Sequence, residues 1–460
     1  MTKQVSDFYA WVRGKRVAVC GIGRNNLPVI RQLLALGAQV RACDRRDRAS
    51  LGAAANELES AGVQLCLGEG YLGALDVDLI LRTPGMKPYL PEFEKARAAG
   101  VPVSSEMELF FALCPCPIYA VTGSDGKTTT TSIIAGLLRA AGRTVHLGGN
   151  IGRPLLPEIE SVQPGDVAVV ELSSFQLTRM TQSPHVAVVT NVAPNHLDWH
   201  ADMAEYIEAK RNLVDHQKAG DRAVLNADNE VTAGFDSGIP GREVCFFSRK
   251  SPQADGAWLR EDGWLCMTRN GETAAVVRAG EIRIPGVHNI ENYLAAIAAV
   301  WGTVAPGTIA EFARTFPGVP HRCELVRERR GVRWYNDSIG SSPSRTIAGL
   351  RAFDRKVILI AGGYDKHIPY DPLGPVAKDT VKAAVLLGAT APQIEAAIRA
   401  CSDLPVIRAR DMADAVEKAD ALAGDGDIVF LSPASASFDM YQNFEERGEH
   451  FRQLVRALPD

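Results

Sequence analysis

The stretch Ala120-Val-Thr-Gly-Ser-Asp-Gly-Lys-Thr-Thr-Thr-Thr-Ser132 decides how this chain is read. An apolar run, Pro117-Ile-Tyr-Ala-Val121, leads into it, and a helical segment from Thr128 to Ala141 leaves it, so it is a strand–turn–helix junction. Gly123 and Gly126 would let the backbone close on a phosphate, and the helix start would offer N–H groups and the positive dipole end. Lys127 would neutralise the β- and γ-phosphates, and the Thr128 hydroxyl would suit Mg²⁺. The spelling departs from G-x-x-x-x-G-K-[ST], because Val121 stands where the first glycine belongs. Taken alone, the stretch reads equally as a nucleotide loop or as a glycine turn before an ordinary helix.

The surroundings repeat the same alternation. Upstream, Arg16-Val-Ala-Val-Cys20 is a short buried strand, Gly21-Ile-Gly23 a turn, and Leu27, Ile30, Leu33 and Leu34 a helix face stopped by Gly37. A second strand, Gln39-Val-Arg-Ala-Cys43, ends at Asp44, as in a dinucleotide fold, but Asn26 occupies the third glycine position and argues against a nicotinamide or flavin site. Val77-Asp-Leu-Ile-Leu81 then runs into Thr83-Pro-Gly85. Downstream of the loop, Val167-Ala-Val-Val170 ends in Glu171, and His185-Val-Ala-Val-Val189 ends in Thr190-Asn191. Ligands of parallel sheets sit beyond the carboxyl ends of strands, which groups Gly123, Glu171 and Asn191. From near Pro320 a third block follows, with strands at Lys356–Ile360, Val381–Leu387 and Asp427–Leu431. The expected fold is α/β, with three doubly wound Rossmann-like domains at 1–105, 106–318 and 319–460, the central one a P-loop-type ATPase domain.

Composition agrees with that architecture. A chain of 460 residues suggests about three domains at roughly 150 residues each. A hydrophobic fraction of 46% with 23% charged residues is that of a soluble globular protein. No apolar run reaches the ~18 residues of a membrane span, and the N-terminus lacks a signal-peptide core. The net charge of -4, without a basic stripe, gives no reason to expect nucleic acid. Nine scattered cysteines suit reduced thiols in the cytoplasm. Cys114-Pro-Cys116 is the one close pair and lacks the second pair a zinc site would need. Asn195-His-Leu-Asp-Trp-His200 offers two imidazoles and a carboxylate. Pro194 makes its context a loop, which suits a role beside a phosphate-bound metal better than a helical zinc pair; His200 and His216 stay unassigned.

Taken together, TGSDGKTTT (122–130), GGNIG (148–152), ELSSFQL (171–177), NHLD (195–198) and HNIEN (288–292) resemble the Mur ligase family. ELSSFQL and LSPASASFDMYQNFEERG (431–448) resemble its D-glutamate-adding branch. In that family TGxxGKT is the ordinary loop spelling, so Val121 is no defect. The resemblance implies ATP-dependent amide bond formation through an acyl phosphate and a tetrahedral intermediate. D-glutamate would be added to UDP-N-acetylmuramoyl-L-alanine in peptidoglycan precursor synthesis. Phosphorylation turns a carboxylate oxygen into a leaving group, and catalysis is positioning plus charge neutralisation.

Carried over by position, the resemblance assigns Gly123, Ser124, Gly126, Lys127, Thr128 and Thr129 to the ATP phosphates and Asn289 and Asn292 to adenine. Arg322 would reach the phosphates and Asp337 the ribose. Thr128 with Glu171 would hold one Mg²⁺, and His196 a second. Lys210, otherwise read as a solvated helix lysine in Met203–His216, would be carbamylated and serve as an anionic metal ligand. Ile22, Gly23 and Arg24 would bind the diphosphate, Asp44 and Arg45 the uracil, with Thr83 and Gly85 nearby and Asn150 on the muramoyl part. D-glutamate would meet Lys366 and Ser437, with Ser341 and Phe444 behind them. Sharing one nucleotide between two blocks implies closure of the third block, and a monomer is expected.

One departure stands out. The family's N-D-S-K-A-T-N reads here Asn336-Asp-Ser-Ile-Gly-Ser-Ser342, so Ile339 removes a cation, and Arg345 is the candidate to replace it. Two other readings stay open: a sister amide ligase acting on another amino acid or on folate, and a non-catalytic UDP-sugar binding protein.

Overall fold

The computed structural model describes residues 2–23, 25–194, 196 and 199–460. The chain forms two compact units, Met1–Val276 with Glu291–Ala310, and Val277–Ile290 with Glu311–Asp460. The first unit contains two sheets and the second contains one.

The first sheet comprises β1 (Arg16–Cys20), β2 (Gln39–Asp44), β3 (Gln64–Leu67), β4 (Leu79–Arg82) and β5 (Val103–Ser104), ordered β3-β2-β1-β4-β5. All its pairings are parallel. The order of strand addition reverses between β1 and β4, so the crevice for a ligand opens beyond Cys20. The third strand of this block begins later than Val77, because Asp78 is spent on the strand edge, where its carboxylate accepts from the Arg16 N–H at 2.8 Å.

The central sheet runs β6 (Ile118–Thr122), β7 (Val145–Gly149), β8 (Val167–Glu171), β9 (Val186–Val189), β10 (Arg222–Asn226), β11 (Glu243–Ser248), β12 (Gly256–Leu259), β13 (Trp264–Arg269) and β14 (Glu272–Arg278). Its order is β14-β13-β12-β11-β10-β9-β6-β8-β7. Strand β6 lies between β8 and β9, a second switch point, and its register pairs Val121 with Glu171 and Thr122 with Val189. The quoted loop, Glu171 and Thr190 therefore leave the sheet at one level. The strands from β7 through β12 pair in parallel, and β13 turns antiparallel to β12.

The third sheet holds β15 (Glu324–Arg329), β16 (Val332–Asn336), β17 (Val357–Ala361), β18 (Val381–Leu386), β19 (Val406–Arg408) and β20 (Ile428–Leu431), ordered β15-β16-β20-β17-β18-β19. Only β15 is antiparallel to its neighbour. Its central strands β17 and β20 are buried along their whole length, as parallel strands covered on both faces must be. The α/β class with three parallel-rich sheets is the one expected from the alternating apolar runs.

Candidate active site

The nucleotide loop is built for close approach. Gly126 caps the helix Lys127–Ala140 at φ 79°, a left-handed conformation that glycine adopts without strain. A Cβ there would lie 2.5 Å from Asn292 Oδ1, and one at Gly123 would lie 1.9 Å from Thr190 Oγ1. Both glycines are thus required twice, for backbone shape and for space. Asn191 holds the loop from the next strand end: its carbonyl accepts from Ser124 N–H at 2.8 Å and its side-chain oxygen from Asp125 N–H at 2.9 Å. Ser124 and Thr129 are buried, and the Ser124 hydroxyl bonds Ala193 O and the Tyr206 hydroxyl, both at 2.9 Å. Lys127 Nζ donates to Gly123 O and Ser124 O, each at 2.9 Å, and Thr128 is half-buried at the first helical turn. Asn292 accepts from Thr130 Oγ1 at 3.1 Å, so this expected adenine contact also braces the loop helix.

Two buried ionisable side chains, Glu171 and Lys210, lie beside the loop. Glu171 ends β8 with 1% exposure; its Oε1 accepts from Asn150 Nδ2 at 2.7 Å. Its Oε2 is buried with no hydrogen-bond partner among the described residues. A buried carboxylate oxygen left without a donor costs free energy unless a cation takes it, which fits a hard divalent ion. Asn150 is held twice, since its N–H also donates to Glu171 O at 2.8 Å. Lys210 sits in the helix Met203–Asp215 at 1% exposure, with Nζ donating to Gly123 O at 2.8 Å and lying 4.6 Å from the Tyr206 ring. It is not a solvated helix lysine. Burial, with the charge of Lys127 nearby, holds its amine well below the ordinary lysine range.

The rest of ELSSFQL is framework. Ser173 and Gln176 form a capping box on the short helix Ser174–Leu177, and Ser174 Oγ pairs with His200 Nε2 at 2.9 Å. Burial pushes the His200 imidazole below its usual range, as suits a packed structural histidine. His196 is exposed, carries a left-handed φ of 54° and packs edge-on to Phe175 at 5.0 Å. Non-glycine residues in that region are strained by about 1 kcal/mol or more, a cost often met at functional sites. The remaining NHLD residues, Asn195, Leu197 and Asp198, lie outside the described residues. Among the described residues no three His, Cys, Asp or Glu side chains form a metal cage. Mg²⁺ needs none, being held by one or two carboxylates plus phosphate oxygens and water.

At the first sheet, Asn26 explains the missing third glycine. Its buried side-chain amide donates to Gly21 O at 2.9 Å and closes the turn from within. Asp44 Oδ2 accepts from Ile22 N–H at 2.7 Å and pairs with Arg46 Nη2 at 2.9 Å. Against the upward push of burial, Arg46 and the two backbone amides hold the Asp44 carboxyl below its usual range. Arg45, the expected uracil contact, is exposed, and Arg46 is the arginine that engages Asp44. Ile22 is buried, Gly23 is exposed, and Arg24 lies outside the described residues. Thr83 N–H donates to Cys20 O at 2.8 Å, and Gly85 O accepts from Trp199 Nε1 at 3.0 Å. A further link missed in the sequence is Arg82, buried at the end of β4 and donating to Thr178 O at 3.2 Å, just after SFQL.

The second unit gathers its own polar edge. Asp337, beyond β16, accepts from Ser432 Oγ at 2.8 Å and from Cys323 N–H at 3.2 Å. Burial pushes its carboxyl up to about 6, against the pull of Ser432 and the charge of Arg322. A carboxyl raised from its ordinary 3.8 holds its proton more tightly when folded, so this term favours folding below pH 4. It is lost as pH rises through 6, a swing of about 3 kcal/mol. Asp337→Asn is therefore expected to flatten the urea-unfolding stability of the second unit between pH 4 and 6.5. An unchanged slope in the variant would refute that environment.

Gly340 stands where the family pattern has alanine, and a Cβ there would lie 2.5 Å from Asp337 Oδ2. Ile339 is half-buried, its N–H donating to His321 O at 3.1 Å. Ser341 N–H donates to Ile339 O at 2.7 Å. Lys366 is exposed, Ser437 is buried, and Phe444 starts the helix Phe444–Ala457 with its carbonyl accepting from Ser338 Oγ at 2.8 Å. Asn289 is buried, donating to Pro285 O at 2.5 Å. Arg447 is the residue the sequence reading passed over within FEERG. Its buried guanidinium donates to Ser338 O at 2.8 Å, Ala436 O at 3.0 Å and Ser435 O at 3.1 Å, joining two loops at the carboxyl edge.

Comparison with known proteins matches these pieces in order. Residues 15–105 match the Mur ligase MurD-like N-terminal domain, 121–300 the Mur ligase middle domain, and 321–435 the Mur ligase glutamate ligase domain. The chain is 50% identical, over 100% of both chains, to UDP-N-acetylmuramoylalanine–D-glutamate ligase of Acetivibrio thermocellus. It is 49% identical to the enzyme of that name from Symbiobacterium thermophilum, over 96% of this chain and 98% of that one. Among solved structures, UDP-N-acetylmuramate-alanine ligase of Thermotoga maritima superposes with TM-score 0.60 at 17% identity, covering 96% of this chain and 99% of that one. The MurF ligase of Thermotoga maritima, in complex with ADP, gives 0.56 at 19%, covering 98% and 97%. The structures speak for the fold and the full-length relatives for descent: the chain belongs to the Mur ligase family.

Proposed function

We infer that the chain is an ATP-dependent, ADP-forming ligase that adds D-glutamate to UDP-N-acetylmuramoyl-L-alanine in peptidoglycan precursor synthesis. The observation that carries this reading is full-length identity of 50% to a ligase named for that reaction. Its chemistry suits the loop: ATP phosphorylates the alanyl carboxylate, the D-glutamate amine attacks the acyl phosphate, and phosphate leaves the tetrahedral intermediate.

The region 1–105 serves the UDP part, 106–318 the ATP, and 319–460 D-glutamate. Lys127 neutralises the phosphates while the amides of Gly123–Thr129 cradle them. Thr128 and the free oxygen of Glu171 are the holders of one Mg²⁺, and His196 with Lys210 of a second. When bound, Mg²⁺ offsets the charge of the transferring phosphoryl group. Lys210 takes part as a carbamate: its neutral amine attacks CO₂, a C–N bond forms as a C=O π pair moves onto oxygen, and the nitrogen passes one proton to water, so that the anionic carbamate oxygen would serve as the ligand. Its burial and depressed basicity support that modification. Asn150 and the Ile22–Gly23 turn meet the UDP-muramoyl substrate, with Asp44 fixed by Arg46 at the uracil end. Lys366, Ser437 and Ser341 bind D-glutamate, a lysine point charge suiting a carboxylate. Arg345 supplies the cation that Ile339 removes; its charge already pulls on the Asp337 carboxyl. Nine free thiols support a reducing cytoplasmic setting, and the ligase acts as a monomer.

The decisive experiment scans phosphate release over D- and L-amino acids with UDP-N-acetylmuramoyl-L-alanine and ATP. D-glutamate is expected to exceed L-glutamate by about a hundredfold or more, since the wrong enantiomer leaves buried polar groups unpaired. Turnover confined to another amino acid would refute the D-glutamate assignment and leave the ligase class standing.

A further inference from the structure

Cys114-Pro-Cys116 has no part in ligation, yet its two sulfurs lie 3.6 Å apart. The pair occupies the connector between the helix Glu106–Leu113 and β6. Its backbone is anchored on both sides, by Cys114 N–H on Phe110 O at 2.8 Å and by Ala168 N–H on Pro117 O at 3.0 Å. Cys114 is half-exposed and Cys116 buried. Two residues of one chain span at most about 7 Å between Cα atoms, the upper edge of what a disulfide bridges. A bond so placed forms readily between touching sulfurs and is easily reduced again, the behaviour of an exchangeable disulfide.

We propose that Cys114 and Cys116 form a dithiol exchange site for low-molecular-weight disulfides, with Cys114 as the attacking and Cys116 as the resolving thiol. Cys114 thiolate attacks one sulfur of R–S–S–R; that S–S bond breaks, R–S⁻ leaves with the electron pair and is protonated, and a mixed disulfide remains. Cys116 then loses its proton and attacks the Cys114 sulfur, expelling the second R–SH. The dithiol is oxidised by two electrons, and R–S–S–R is reduced to two thiols.

The division of labour follows from the surroundings. Hydrogen bonding from Cys116 holds the Cys114 thiol below its ordinary range, while that same pairing and burial push Cys116 up. Of the other half-exposed thiols, Cys66 and Cys323 are both raised by burial. Cys114 therefore offers a larger thiolate fraction than either of these to a reagent in solvent.

The full-length folded chain would be incubated with glutathione disulfide, quenched in acid, alkylated and mapped by peptide mass spectrometry. Wild type is expected to give the Cys114–Cys116 disulfide, exceeding mixed disulfide at Cys114 by about tenfold because the resolving step is intramolecular. Cys116→Ser is expected to accumulate the glutathione adduct on Cys114, and Cys114→Ser to leave Cys116 unmodified. Wild type alone decides if a variant misfolds. Capture at Cys66, Cys323 or Cys401 with Cys114 and Cys116 still reduced would overturn the proposal. So would a lasting adduct on wild-type Cys114, which would show that Cys116 does not resolve it.

Discussion

Lys127→Ala is expected to lower kcat for ADP formation by at least about a thousandfold, the scale on which a charge acting on a transferring phosphoryl group contributes. Binding of UDP-N-acetylmuramoyl-L-alanine, measured calorimetrically without nucleotide, is expected to change by no more than about threefold. The asymmetry follows from the fold: Lys127 stands at the β6 switch point, whereas Asp44 and the Ile22 turn belong to a different sheet. Lys127 Nζ bonds carbonyls of its own loop, so a thermal melt of the variant separates lost chemistry from a loosened loop. Turnover within tenfold of wild type would remove the loop from the ATP assignment.

Lys210→Ala comes second, with an expected loss of about a hundredfold and partial recovery in added acetate or propionate. The side chain is fully enclosed, so truncation leaves a polar void beside Gly123 O that a short carboxylate can enter. Lys210→Arg distinguishes ligand from brace. It keeps a cation near Gly123 O, cannot carry a carbamate, and is expected to be equally impaired with no rescue. The pH dependence has a definite sign. Depressed basicity leaves the amine neutral at lower pH than a surface lysine, so carbamylation by CO₂ persists further toward neutrality. Mass spectrometry of the native chain with ¹³CO₂ would show the adduct directly, and full activity of Lys210→Ala would reduce this lysine to packing.

Much of this was legible in the sequence, for an identifiable reason. Parallel strands covered on both faces are continuous apolar runs, so Arg16–Cys20, Val167–Glu171 and Ile428–Leu431 stand out, and the glycine or serine turns that follow them mark the carboxyl edge of each sheet. The strands β11 to β13 mix half-buried and buried positions and the edge strand β14 adds exposed ones, so they gave no run to recognise. Lys210 was illegible because its burial depends on the Gly123 loop, which only tertiary packing brings against the helix turn shared with Tyr206. That Arg46 is the arginine paired with Asp44 turns on backbone direction after β2, a matter of one residue that composition does not report. Asn26 looked like a broken fingerprint and proved to be the side chain that closes its own turn.

Asn150 and Glu171 make one doubly bonded contact, side chain to side chain and backbone to backbone. If Asn150 meets the muramoyl substrate while Glu171 meets the nucleotide's cation, that contact ties the two ligands together thermodynamically. Whatever draws the Asn150 amide away frees a second carboxylate oxygen, and whatever claims that oxygen loosens the amide. The resulting heterotropic coupling is symmetric: each ligand alters the other's affinity by the same factor, whichever arrives first.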